Sequence, residues 1–581
     1  MSDSRHLFLR DALCVGDTAP RASNAAVAAA AASAAAAVDS RFVWHDAAHD
    51  SLLVFSPTTQ TVEELPLTPR APTTTTRATA ASPAALYRGA AVHEPLALLR
   101  LSVDRGFLAV QKSDIEVQVL SLATGESHWI VCKPTSGNRI VSEGVVWSTH
   151  ATGSQRSQDL FLLTKLGIEQ YRVSRKRGDC ALHRTIAVFV HTFWYSAAHS
   201  VLIVSTGARA NELVPFQLCA SNVEKLPRLV FSTPVRPREL FLASLYGELF
   251  AVYSDARSMR LLLYLIGRSK VSCVRSLHVE LPPGTALEFS VVDNLLVCHG
   301  VEFNVSLFFD VKCESELHEP FSHPLPISLA PPERDGPSER TVRKSIVTIA
   351  ADDPLRDDGR QPEDSPTSSE ASAAAAASSR LLREPESHVS AHWRFVAPDL
   401  AQRIDGDHDL RRLQLNLVAV SRSCARHPEI LPFLLRRSDV ALAKTLALTL
   451  VRDRLSEHAL PPPVVSALLS AIQTVSLSDL EELAADASAA TSEDDDASSL
   501  STTLRSKLFG STRARVMDAA LPTRNAKGLA LVLQSDVSRL VWQPMLARRD
   551  DRIVTEGHLS TYLCEYIRLL RHHQVPVETS T

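Results

Sequence analysis

"SVVDNLLVCHGVEFNVSLFFDVK", residues 290–312, carries two short apolar runs joined at Cys298-His299-Gly300. From Phe303 the odd positions Phe303, Val305, Leu307, Phe309 and Val311 are apolar, and Asn304, Ser306, Asp310 and Lys312 fall between them. Such period-two alternation marks a strand with one buried face. A lone hairpin is at best marginal in water, so these strands must belong to a larger assembly.

Relatives of this stretch recur upstream. They begin at His45 ("HDAAHDSLLVFSPTTQTVEELPL"), Ser102 ("SVDRGFLAVQKSDIEVQVLSLATGE"), Gln158 ("QDLFLLTKLGIEQYRVSRKRG"), Ser196 ("SAAHSVLIVSTGARANELVPFQL") and Ser244 ("SLYGELFAVYSDARSMRLLLYLI"). Each is a polar turn, an apolar strand, a second turn and another strand. Taking Leu53, Ala109, Leu162, Ile203, Ala251 and Leu296 as equivalent centres gives intervals of about 56, 53, 41, 48 and 45 residues, near the blade length of propeller repeats. The long first interval contains the loop-like "PRAPTTTTRATAASPAA", 69–85.

Six blades are therefore expected over 1–330, with the opening hairpin as the outer part of the sixth. Residues 331–387, rich in Pro, Asp, Ser and Ala, read as a disordered insertion, and 388–420 as the closing blade. "RHLFLR", 5–10, is expected to join that last blade and lock the ring. The fold class is thus a seven-bladed β-propeller followed by an α-helical, solenoid-like region.

Near 421 the period changes from two to three and four. "PEILPFLLRRSDVALAKTLALTLVRDRL", 428–455, and "PPVVSALLSAIQTV", 462–475, have helical leucine spacing, the second opened by proline. Beyond Gly557, Leu559, Tyr562, Leu563, Tyr566, Ile567 and Leu570 form a helical stripe, read as core. Helical regions are expected over 421–485 and 504–581, separated by an acidic, Ser-rich linker at 486–503.

The 581 residues are 45% hydrophobic, with a formal charge of −4. That balance provides no global field to attract nucleic acid or anionic membrane, so partners must be recognised by local surface. Nine cysteines without a C-x-x-C pair argue against a zinc site or disulfide framework and fit a reducing cytosol. "NAAVAAAAASAAAAVDS", 24–40, is too weakly apolar for a membrane segment. The sequon form at Asn304 reads as part of a strand.

Phosphate loops, zincin helices and hydrolase elbows lack their signatures, so no cofactor and no catalytic residue is expected. His45, Asp46, His49 and Asp50 could in principle hold a metal, but turn capping accounts for them more simply. The basic run Arg172 to Gly178 reads as a solvated hairpin end, with contact to acidic lipid or protein as the competing role. Trp147, Trp194, Trp393 and Trp542 are dispersed and give no stacking platform for single strands. A non-catalytic binding scaffold is the most economical reading, and the same architecture also serves vesicle coats and tethers.

The blade sequences carry more. "FLAVQKSDIEVQVL" (107–120), "VVWSTH" (145–150), "DLFLLTKLGIEQYRV" (159–173), "FWYSAAHSVLIVSTG" (193–207) and "LASLYGELFAV" (242–252) precede "VVDNLLVCH" and "FFDVK" in an order that resembles the Mic-like family. The resemblance is to Bulli-like subunits, the family that regulates the Mon–Ccz guanine nucleotide exchange complex. The likeness is densest over 100–312, with weaker echoes over 393–420 and in "LCEYIRLL", 563–570. The alanine-rich start, the insertion and the tail soon after "YIRLL" depart from the family pattern. The resemblance implies an accessory subunit partnered with Mon and Ccz longin-domain proteins. It further implies action on a late-endosomal Rab GTPase and peripheral residence on late endosome, lysosome and autophagosome membranes. Endosome maturation, lysosomal delivery and autophagy would be its setting.

Overall fold

The computed structural model describes, with short internal gaps, residues 41–67, 84–313, 393–472 and 529–572, and strand segments at 7–9, 325–330 and 347–349. These residues build seven sheets of four or five strands. The first strands of the blades are Arg41–Asp46, Leu98–Leu101, Ile140–Trp147, Thr192–Ser196, Leu240–Leu245, Leu287–Val292 and Trp393–Val396. Neighbouring first strands touch from blade one to three and from blade four to seven, which puts them innermost around the axis. The seven-bladed propeller expected from the repeats is therefore present.

The centres that defined the repeat, Leu53, Ala109, Leu162, Ile203, Ala251 and Leu296, all lie on the second strand of their blades and are at most 1% exposed. A second strand has neighbours on both edges, and its two faces lie against the adjoining blades. Its residues are consequently apolar without alternation, as in Leu52, Leu53, Val54 and Phe55.

The hairpin at 290–312 differs from its sequence reading in three respects. It forms the inner three strands of blade six, Leu287–Val292, Leu295–Gly300 and Val305–Phe309, with Leu325–Ile327 outside them. Its tight turn is Asp293-Asn294, both at positive φ, whereas Cys298-His299-Gly300 ends the second strand. Two consecutive left-handed residues are what a two-residue hairpin needs to match strand twist. Finally, both faces of the third strand are buried: Ser306 and Phe308 as well as Leu307 and Phe309. Alternation in polarity thus reflects hydrogen-bonded polar groups between blades, not solvent on one side.

Blade seven is closed by the N-terminus. Leu7–Leu9 pairs antiparallel with Leu410–Leu415 in the register Leu7↔Leu415 and Leu9↔Leu413, completing Trp393–Val396 and Leu400–Arg403. Leu329–Ala330 adds a parallel strand outside it. Within 331–387 the structure describes only Val347–Ile349, which runs parallel to Arg41–Val43 at the inner edge of blade one. The rest of that insertion, the alanine-rich 24–40, Asn304 and the linker at 486–503 lie outside the described residues.

Helices begin earlier than the change of period indicates. The "LVAV" of 417–420, read as strand, opens α1 (Leu417–Ser423), because the Asn416 side chain caps it by accepting from the Ala419 N–H at 3.1 Å. The leucine-rich 428–455 divides into α2 (Ile430–Leu435) and α3 (Val440–Glu457). α4 (Pro462–Ile472) follows, with proline in its first turn. After the undescribed linker, α5 (Gln534–Val537) runs through a π-helical turn (Ser538–Trp542) into α6 (Gln543–Ala547), and α7 is Glu556–His572. Tyr562, Tyr566 and Leu570 of the expected stripe are buried in α7. The helices share one apolar cluster with blades six and seven, from Phe308 and Trp393 through Leu434 and Leu448 to Trp542 and Tyr566. The described helices are a single packed group; a solenoid-like stack is not among the described elements.

Candidate functional site

The side chains that join the propeller to the helices form a buried polar network centred on one arginine. Arg437, in the turn between α2 and α3, is fully buried. Its Nε donates to the Phe433 carbonyl (3.0 Å), Nη1 to the Asp293 carbonyl (2.7 Å), and Nη2 to the Tyr246 hydroxyl and Asp310 Oδ2 (2.8 Å each). The guanidinium also lies over the Phe433 ring, 4.4 Å from its centroid. A buried arginine is tolerated only when its fork of donors is satisfied in this way.

The partners come from two blades. Asp293 and Asn294 are the first turn of blade six, Asp310 directly follows its third strand, and Tyr246 belongs to the first turn of blade five. Tyr246 has φ 52°, a strained value for a bulky residue, and its hydroxyl donates to Asp310 Oδ1 at 2.8 Å. Burial pushes the Tyr246 hydroxyl well above the usual phenol range, so it stays protonated and remains a donor. The Tyr246 N–H donates to Asn294 Oδ1, and the Ser438 N–H to Asp293 Oδ1. The "VVDN" and "FFDVK" segments singled out in the sequence thus supply the receptor for "LLRRSD", 434–439.

His299 holds the neighbouring blade contact. It is completely buried between the hydroxyls of Ser306 (2.7 Å) and Ser290 (3.0 Å), and its ring stacks on Phe395 of blade seven at 3.6 Å. Burial depresses its pKa to about 3, so the ring is neutral. Glu288 Oε2 accepts from the Phe395 N–H beside it, and burial raises that carboxyl above its ordinary value.

The "HDAAHD" stretch caps the first turn of blade one. Asp46 accepts from the Ala48 N–H and His49 Nδ1, both at 3.0 Å, while His49 Nε2 meets the Val103 carbonyl of blade two. Burial lowers the His49 pKa, but the Asp46 bond and charge and the Val103 carbonyl outweigh it and the net shift is upward. Asp50 turns the other way, to Arg412 of blade seven, which also holds Asp399 at 2.5 Å. The "SAAHS" of 196–200 repeats the device: His199 Nδ1 meets Ser196 and Nε2 meets the Gly247 carbonyl of blade five. These histidines are inter-blade clasps. Among the described residues no group of three His, Cys, Asp or Glu is placed to hold a metal.

Of the other residues singled out, Arg172 pairs with the buried Asp159 at 3.2 Å inside blade three, and 175–178 lie outside the described residues. The Trp147 indole donates to the Arg100 carbonyl and that of Trp194 to the Pro237 carbonyl. Trp393 is buried, as is Trp542, whose ring tilts against Tyr566. Sequence reasoning missed Arg437 and Tyr246, and it missed Trp129, which stands 53% exposed beside exposed Val131 on the outer strand of blade two (Ser127–Val131). The "LLRRSD" break in a leucine-rich run was the available signal for the first of these.

No family model matches the chain. A human protein named "Regulator of MON1-CCZ1 complex" is 25% identical over 248 residues, covering 39% of this chain and 36% of that protein. The Dictyostelium discoideum homologue of the same name is 22% identical over 222 residues, covering 38% of this chain and 21% of that one. This chain is similar to those regulators. The likeness read from the strand sequences is thereby borne out, over about a third of the human regulator's length. Among solved structures, Kluyveromyces lactis Hsv2 matches with a TM-score of 0.32 and 8% identity, covering 47% of this chain and 74% of that one; so slight a likeness carries no argument.

Proposed function

We propose that the chain is a non-catalytic accessory subunit of a MON1–CCZ1 type guanine nucleotide exchange complex. Its partners would be the two longin-domain proteins, the exchange chemistry would be theirs, and the Rab GTPase of late endosomes would be the ultimate target. Residence would be peripheral, on late endosome, lysosome and autophagosome membranes. The observation that carries this reading is the sequence similarity, shared by human, mouse and Dictyostelium proteins of the same name. The architecture accords with it: the polar groups described above are spent on holding blades and helices together, which suits a scaffold.

The test is affinity capture of the tagged full-length chain from its own cytosol, followed by nucleotide-release measurements on the Rab. Recovery of MON1 and CCZ1 homologues in comparable amounts, with release altered when the chain is added, supports the assignment. Capture of coat or tether subunits in their place, reproducibly and without a longin protein, overturns it.

A further inference from the structure

One face of the propeller carries the second turn of each blade and the linkers between blades. From blade two to blade four these segments are sewn together by hydrogen bonds. The Cys132 N–H donates to the Ile115 carbonyl, Lys165 N–H to Arg139, Val190 N–H to Lys165, and Val235 N–H to Ala210. His191 Nε2 meets the Gly207 carbonyl at 2.8 Å. The result is a continuous surface made from the described parts of 112–115, 132–139, 165–166, 188–191, 207–211 and 231–239.

Its charge is opposite to that of the whole chain. Six exposed cations stand on it: Lys133, Arg139, Lys165, Arg209, Arg236 and Arg238. Among the described residues of the same segments there are two carboxylates, Asp114 and Glu239, paired with Arg139 and Arg236. Between the cations, apolar side chains project at Ile115 (38% exposed), Leu166 (40%) and Phe189 (49%). Spread basic charge with apolar tips between is the combination that an anionic bilayer rewards, phosphates meeting the cations while the tips enter the headgroup layer. A chain with a net charge of −4 would otherwise be repelled, so the concentration of cations here is what a bilayer would meet first.

We propose that this face of blades two to four binds the surface of an acidic phospholipid bilayer directly. The binding is a property of this chain and needs no partner, so it stands or falls apart from membership of an exchange complex.

The experiment is flotation of the purified full-length chain with phosphatidylcholine vesicles containing about one third phosphatidylserine, against vesicles of phosphatidylcholine alone. Binding to the first and little to the second is expected, weakening as salt shortens the screening length. The triple variant Lys133→Glu, Lys165→Glu, Arg209→Glu should bind at least about tenfold less. Leu166→Ser with Phe189→Ser should weaken binding further at fixed salt. Should the triple reversal melt below the parent temperature, Lys165→Gln with Arg209→Gln replaces it and must still weaken binding. Absence of binding to acidic vesicles, equal binding to neutral ones, or full binding by a folded charge variant would each overturn the proposal.

Discussion

Arg437 and Asp310 meet at 2.8 Å with neither side chain reached by more than a trace of solvent, and they come from parts of the chain 127 residues apart. Solvent barely reaches the pair, and the Arg436 guanidinium stands beside it, with Nη1 3.5 Å from the same Asp310 Oδ2. Docking of the α2–α3 turn on blades five and six therefore depends on this contact and on the shared apolar cluster beside it, where Phe308 lies 5.7 Å from Phe433.

Removing one member should cost more than removing both. Arg437→Met leaves Asp310 buried without its main cation, and a loss of about 3–5 kcal/mol is expected from urea unfolding. Arg437→Met combined with Asp310→Leu should recover part of that loss. Losses in the two single variants that simply add in the double would show that the pair is not coupled.

His299 sets a second expectation. Its folded-state pKa lies near 3, below the ordinary 6.5, so the unfolded chain binds the proton more readily. Its contribution is fully present above 6.5 and declines as pH falls from there toward 3, by up to about 1.4 kcal/mol per unit. Stability of the native chain minus that of His299→Gln, measured by urea titration between these values, should shrink on acidification. A difference independent of pH would mean that the ring protonates without leaving its hydroxyl partners.

The clasp histidine His49 behaves with the opposite sign. Its folded-state value is raised, so its contribution is fully present below 6.5 and is lost as pH rises through the folded value. His49→Leu should cost about 1 kcal/mol on the acid side and less in alkali. Amide exchange in the blade-one turn at 46–51 would report the loosening directly. Equal cost at both ends of the range would assign the residue to packing alone.

Legibility in the sequence followed the physics of each element. The second strands of blades one to six could be read because burial on both faces and both edges leaves an apolar block, and Leu53 through Leu296 mark them, whereas that of blade seven, Leu400–Arg403, ends in Gln and Arg. The closing N-terminal strand could be read because an apolar trio at 7–9 needs a sheet to join. The start of α1 was hidden because "LQLNLVAV" alternates like a strand until the Asn416 cap turns it. Arg437 was hidden for a different reason: its burial depends on Tyr246, Asp293 and Asp310, which no local window contains. The cationic face escaped notice likewise, since its members are single residues on separate turns and only the ring brings them together.

The ring closure itself can be tested at Leu7, which is fully buried in the cluster shared by blades six and seven and the helices. A propeller closed by a strand from the opposite chain end cannot open there without breaking the pairing of Leu7–Leu9 with Leu413–Leu415. Leu7→Ala creates a cavity at that seam and should cost about 2–5 kcal/mol in urea unfolding. Deletion of residues 1–10 should do more, exposing the edge of Leu410–Leu415 to pairing with other chains and so to association at higher concentration. A synthetic peptide of residues 1–12 added in excess should restore the monomer, because an unpaired edge accepts a strand from any source that matches its register. If the truncated chain keeps its parent stability and stays monomeric without the peptide, the N-terminal strand is an ornament on blade seven and the ring is held by the apolar contacts between blades.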